Sequence, residues 1–199
     1  FLPFPHIDHT HADATNYFAC AHDGEQLAQD CFGDDLIWIP YRRPGFGLAR
    51  EVALAVRGKP DAKLVILAKH GLITWGETDE SCYASTLSTV AQARAFVEER
   101  LARAEKPIFG GFRCTPLPVE DRRTIVAQVA PVLRGLVSAE KRQILRFEDT
   151  EDVLDYASSH DAPRLSTVGA ACPDHLVHTK PWPLLVDWTP NQDLPSLLD

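Results

Sequence analysis

Residues 64–76, LVILAKHGLITWG, decide how the rest of the chain is read. Residues 64–68 are continuously apolar, as expected of a strand covered on both faces. Lys69-His70-Gly71 closes that run, and residues 72–75 follow as a partner strand of β-branched and aromatic character. A buried strand that turns at a Lys-His-Gly and comes straight back places a histidine at the open end of a sheet, beside a glycine that allows close backbone approach.

The same alternation of short apolar runs and helical spacing extends outward from this hairpin. Upstream, residues 6–11 (HIDHTH) read as a strand, with Ile7, His9 and His11 on one face and Asp8 and Thr10 on the other. Asp13 opens a helix, residues 14–21 and 25–32 are helix-prone, and residues 36–40 (LIWIP) form a short strand. Arg43-Pro44-Gly45 is turn material. Residues 48–56 carry helical spacing until Gly58 and Pro60 stop it. Downstream, Thr78 is a fitting N-cap, with Asp79 and Glu80 in the first turn complementing the helix dipole, and that helix is expected to run to about residue 105.

Pro107, Gly110 and Gly111 mark an internal boundary. The expected organisation is therefore a core over residues 1–107 and, in the same domain, a helical extension with a return strand over residues 108–199. In that extension residues 120–137 and 150–159 read as helices and residues 184–188 (LLVDW) as a late strand. The alternation predicts an α/β fold, a three-layer α/β/α sandwich around a central mixed or antiparallel sheet.

Composition narrows the function. The chain has 199 residues and a net charge of −8 with acids and bases interspersed, so there is no basic stripe for tracking phosphates and no nucleic-acid partner is expected. No apolar run approaches the roughly 20 residues that span a bilayer, and no signal-peptide pattern opens the chain, so no membrane partner and a cytoplasmic location are expected. Five scattered cysteines read as reduced and structural. No glycine-rich nucleotide fingerprint occurs. The chain has no methionine and opens inside what reads as a core strand, which suggests a piece of a longer polypeptide.

The chemistry concentrates in histidines. His9 and His11, one residue apart on a strand, project from one face and can reach a single ion, although such a pair also serves as ordinary surface or satisfied histidines. His70 is the third candidate. Three imidazoles leave part of a zinc coordination shell open, the arrangement of a catalytic site.

HIDHTHAD (residues 6–13) together with KHGLITWG (residues 69–76) resembles the class II aldolase and adducin superfamily, whose aldolases bind zinc through an HxH pair and a later HGL histidine. His9 and His11 fall on the pair and His70 on the HGL histidine. Arg43-Pro44-Gly45-Phe46 and residues 171–180 (ACPDHLVHTK) extend the resemblance to the aldolase half of bifunctional rhamnulose-1-phosphate aldolase and short-chain dehydrogenase proteins.

This resemblance implies a homo-oligomeric lyase that binds Zn2+ or another divalent metal and cleaves a ketose 1-phosphate through a metal-stabilised enediolate. L-Rhamnulose 1-phosphate would give dihydroxyacetone phosphate and L-lactaldehyde. A dehydrogenase domain would follow in the full polypeptide, and the proton-transferring carboxylate would lie upstream of Phe1, so that residues 1–199 alone would have little activity. A sugar-phosphate epimerase and a non-catalytic adducin-like module are the alternatives on the same scaffold. In the polar segment 172–180, His175 and Lys180 are candidate contacts for the anionic substrate, and Cys172, His175 and His178 a possible second ligand set.

Overall fold

The computed structural model describes residues 2–188 and 192. They form two compact units, one of Phe1–Ala104 with Ala170–Pro181, the other of Glu105–Gly169 with Trp182–Asp199.

The first unit is built on a four-stranded sheet. Its strands are β1 (His6–Thr10), β2 (Leu36–Ile39), β3 (Leu64–Leu67) and β4 (Gly71–Gly76), in the order β1-β4-β3-β2. Pairing is antiparallel for β1 with β4 and β4 with β3, and parallel for β2 with β3, so the sheet is mixed. The parallel pair is connected through α3 (Phe46–Gly58), because a parallel crossover needs more chain than a turn supplies. Central position explains the composition of β3, whose four residues are all buried.

Helices cover both faces. On one side α1 (Asp13–Cys20), α2 (Gly24–Phe32) and α4 (Asp79–Ala102) bury Phe18, Ala28, Phe32 and Ala93 against Leu36, Leu64, Ile66 and Leu72. On the other, α3 packs Leu48, Val52 and Val56 against Ile37, Ile39, Val65 and Leu67. This is the expected three-layer sandwich. Thr78 caps α4 reciprocally: its hydroxyl accepts from the Ser81 amide at 3.1 Å while the Ser81 hydroxyl accepts from the Thr78 amide at 3.0 Å.

Phe18 is the keystone of the first layer, 1% exposed, with the rings of Phe32 and Phe96 at 5.7 and 5.6 Å. Phe18→Ala is expected to cost about 3–5 kcal/mol, read as a loss of unfolding free energy in denaturant titration. A loss below about 1 kcal/mol would show that this layer repacks without it.

In the second unit, α5 (Val119–Val137) and α6 (Glu151–Ala157) follow the expected helices, and α7 (Ala162–Leu165) is an addition that no periodicity announced. Arg122 pairs with Asp149 at 2.9 Å, and Phe109 meets the Tyr156 ring edge-on at 5.5 Å. The expected late strand is absent. Residues 184–188 pair with no strand, and Leu184 and Val186 are 89% and 52% exposed. LLVDW has the composition of a strand, but among the described residues it has no strand partner.

The segment Ala170–Pro181 contains α8 (Pro173–His178), a helix that the sequence reading did not include. It belongs with the first unit, and that assignment matters for the site.

Candidate metal centre

Two neighbouring strands bring the three histidines together. β1 pairs with β4 so that His9 lies opposite Ile73 and Thr10 opposite Leu72. β4 begins at Gly71, immediately after His70. The three-residue turn from β3 to β4 sets His70 at the same end of the sheet, and the His70 amide donates to the Leu67 carbonyl at 3.0 Å. Lys69 takes a left-handed conformation (φ 57°) to make that turn.

Gly71 is required by space. A Cβ there would lie 2.5 Å from the Thr10 carbonyl oxygen and 2.6 Å from Cδ2 of His11. The glycine lets β1 and its histidine lie flat against the hairpin.

Alternation along β1 sends Asp8 away from the histidines, towards α4. There Thr74 and Thr86 share a hydrogen bond of 2.6 Å, and the Thr86 hydroxyl donates to Asp8 at 2.9 Å. Asp8 therefore anchors the strand from behind rather than orienting a ligand.

The ring centroids of His9, His11 and His70 are 4.9 to 5.1 Å apart, and one ligand nitrogen from each lies within 4.8 Å of the others. The far side of two rings is tied down. His9 Nδ1 donates to the Leu72 carbonyl at 2.9 Å, and His11 Nδ1 donates to Asp174 Oδ2 at 2.7 Å. With Nδ1 carrying the proton in both, each Nε2 presents a lone pair.

His9 Nε2 faces His70 Nε2 at 3.2 Å. His11 Nε2 is buried with no hydrogen-bond partner, and so is His70 Nδ1. Burial, with His9 and His11 nearby, pushes the pKa of His70 below its usual value, so its ring is neutral at pH 7, the ligating form. A buried ring nitrogen without a hydrogen-bond partner, among three converging imidazoles, fits a divalent cation, and a three-imidazole donor set suits zinc with a position left open.

The segment 172–180 meets the cluster through the hydrogen bond between His11 and Asp174. Asp174, not singled out from sequence, is the residue that reaches a histidine of the cluster. His175 Nδ1 faces the buried Cys172 Sγ at 3.5 Å, and Lys180 is exposed two residues past α8. Among the described residues, a second group able to hold an ion combines Cys172 with His11 and Asp174, not with His175 and His178. The only local clue to Asp174 was the polar density of Pro-Asp-His, which could not say which histidine it met.

Residues 3–97 match the class II aldolase and adducin N-terminal domain, and residues 124–199 match the second domain of class II aldolases. The chain belongs to the class II aldolase and adducin family. Over its whole length it is 49% identical to "Uncharacterized oxidoreductase YuxG" of Bacillus subtilis (strain 168), of which it spans 29%. It thus corresponds to one part of a longer polypeptide in that relative.

Among solved structures it is similar to the N-terminal class II aldolase domain of a conserved protein from Thermoplasma acidophilum, with 32% identity over 48% of this chain and 44% of that one and a TM-score of 0.43. It is also similar to an aldolase II superfamily protein from Pseudomonas syringae, with 18% identity over 66% and 53% and a TM-score of 0.38. Among the described residues no helix is long and apolar enough to cross a membrane.

Proposed function

We propose that the chain is the metal-binding part of a zinc-dependent aldolase that cleaves a ketose 1-phosphate, with L-rhamnulose 1-phosphate giving dihydroxyacetone phosphate and L-lactaldehyde as the substrate the family resemblance favours. The observation that carries this reading is the convergence of three imidazoles, two of them with Nδ1 tied back and one with a buried Nε2 that has no partner. His9, His11 and His70 would hold the ion. Once bound, the ion supplies Lewis-acid stabilisation of the negative charge that develops as the carbon–carbon bond breaks.

The protein's own residues set the terms for that chemistry. An imidazole binds a cation in its neutral form, so three histidine ligands would leave the charge of the ion intact. Gly71 keeps His11 close to the hairpin. His175 and Lys180 are assigned to the anionic end of the substrate, and the proton is moved by a carboxylate of the longer polypeptide. The oxidoreductase name of the Bacillus relative supports a dehydrogenase domain in that polypeptide, and the family resemblance supports a homo-oligomer.

The test is an aldol-cleavage assay on the full-length polypeptide, following dihydroxyacetone phosphate released from rhamnulose 1-phosphate. Chelation is expected to lower the rate by roughly 10²–10³-fold, in line with several kcal/mol of Lewis-acid stabilisation, and zinc is expected to restore it. Conversion to an epimer without cleavage would make the protein an epimerase. Indifference to chelation together with no turnover would leave an adducin-like module.

A further inference from the structure

We propose that Asp174 is the positioning residue of the three-histidine centre, fixing the tautomer and direction of the His11 ring, and that it couples the segment Ala170–Pro181 to metal binding. The inference rests on the reading of His9, His11 and His70 as metal ligands and adds a residue to it.

The two Nδ1–H groups of the HxH pair are served in different ways. That of His9 is held by the Leu72 carbonyl, a backbone group fixed by strand pairing. For His11 the structure gives a side chain instead, Asp174 Oδ2 at 2.7 Å, which is 163 positions away in sequence. A neutral imidazole whose Nδ1–H is engaged must present its lone pair at Nε2, and here that Nε2 is the buried atom with no other partner.

Packing does not account for Asp174, because its side chain is 58% exposed while that of His11 is 17% exposed. A carboxylate that gains little burial and makes its short hydrogen bond to a half-buried histidine acts through that bond. Carboxylates that hold a ligand histidine from behind in this way typically contribute 10–100-fold to metal affinity.

The segment has further attachments to the same unit. The Cys20 thiol donates to the Ala171 carbonyl at 2.7 Å, and Cys172 is buried. Docking of Ala170–Pro181 and orientation of His11 are then linked: whatever binds at His11 Nε2 favours the docked segment, and undocking weakens that binding by the same factor.

The experiment titrates the metal-free protein with Co2+ and, in parallel, reads the histidine tautomers of the metal-free protein by nitrogen-15 NMR. Wild type is expected to show His11 as a single Nδ1–H tautomer. Asp174→Ala is expected to bind Co2+ about 10–100-fold more weakly, with the cobalt spectrum unchanged at saturation, and to show mixed His11 tautomers. Asp174→Asn keeps an acceptor oxygen and is expected to restore most of both.

Unaltered affinity or an unaltered tautomer in Asp174→Ala overturns the inference. So does a changed cobalt spectrum at saturation, which would make Asp174 or Cys172 a direct ligand. Failure of wild type to take up Co2+ overturns the metal reading itself, and it is seen before any variant is compared.

Discussion

His70→Ala is expected to strip the protein of its ion, leaving well under the one equivalent that wild type should retain after dialysis against a weak chelator. Losing a supporting partner typically costs 10–100-fold in metal affinity, and losing a ligand from a set of three should cost more than that. The backbone of the turn is spared, because the contact that closes it is made by the His70 amide, which donates to Leu67 whatever the side chain. The metal-free variant should therefore melt like metal-free wild type. His9→Ala should behave in the same way, whereas His22→Ala, at an exposed residue outside the cluster, should keep its metal. Full metal content in either His70→Ala or His9→Ala by elemental analysis would remove these residues from the ligand set.

The second large effect is expected at a residue with no side chain. In Gly71→Ala the new Cβ meets the Thr10 carbonyl at 2.5 Å and the His11 ring at 2.6 Å, and the first of these is backbone that cannot swing away. Either β1 moves off the hairpin or the His11 ring moves out of the cluster. Overpacking of this kind costs about 3 kcal/mol, which for a domain of this size lowers the melting temperature by about 10 °C. Metal affinity should fall with it. Gly58→Ala is the matched control: it lies in α3, and a Cβ there meets nothing within 4 Å, so the better helix propensity of alanine should leave stability equal or slightly higher. A Gly71→Ala protein with wild-type melting and metal content would mean that the strands lie further apart than described.

Much of this architecture can be read from residue order, because its determinants are local. The unbroken apolar run of β3 signals a strand buried on both faces, and Thr78 with its two following acids signals the start of α4. The pairing of His9 with His11 follows from strand alternation, and their meeting with His70 was implied by the family resemblance.

What could not be read is what depends on partners distant in sequence. Residues 184–188 have strand composition, but strand formation needs an edge to pair with, and composition does not say whether one is present. α7 and α8, of four and six residues, are too short to display a helical period. Asp174 meets His11 across 163 positions, a contact no local pattern encodes, so sequence reasoning passed over it.

Among the described residues β1 is an outer strand of the sheet, paired on one side, with β4, so that His9 lies opposite Ile73. Sliding it by one residue would exchange its faces, turning Asp8 and Thr10 outward and His9 inward to α4. Behind the strand, Thr86 donates to Asp8 and shares a hydrogen bond with Thr74, and these few bonds oppose the slip. Under the proposed reading the ion opposes it as well, since only one alignment assembles the ligands. At a free concentration 100 times Kd it would add about 2.7 kcal/mol to that alignment and nothing to the slipped one. The metal would then proofread how the first strand joins the sheet, before any sugar is bound.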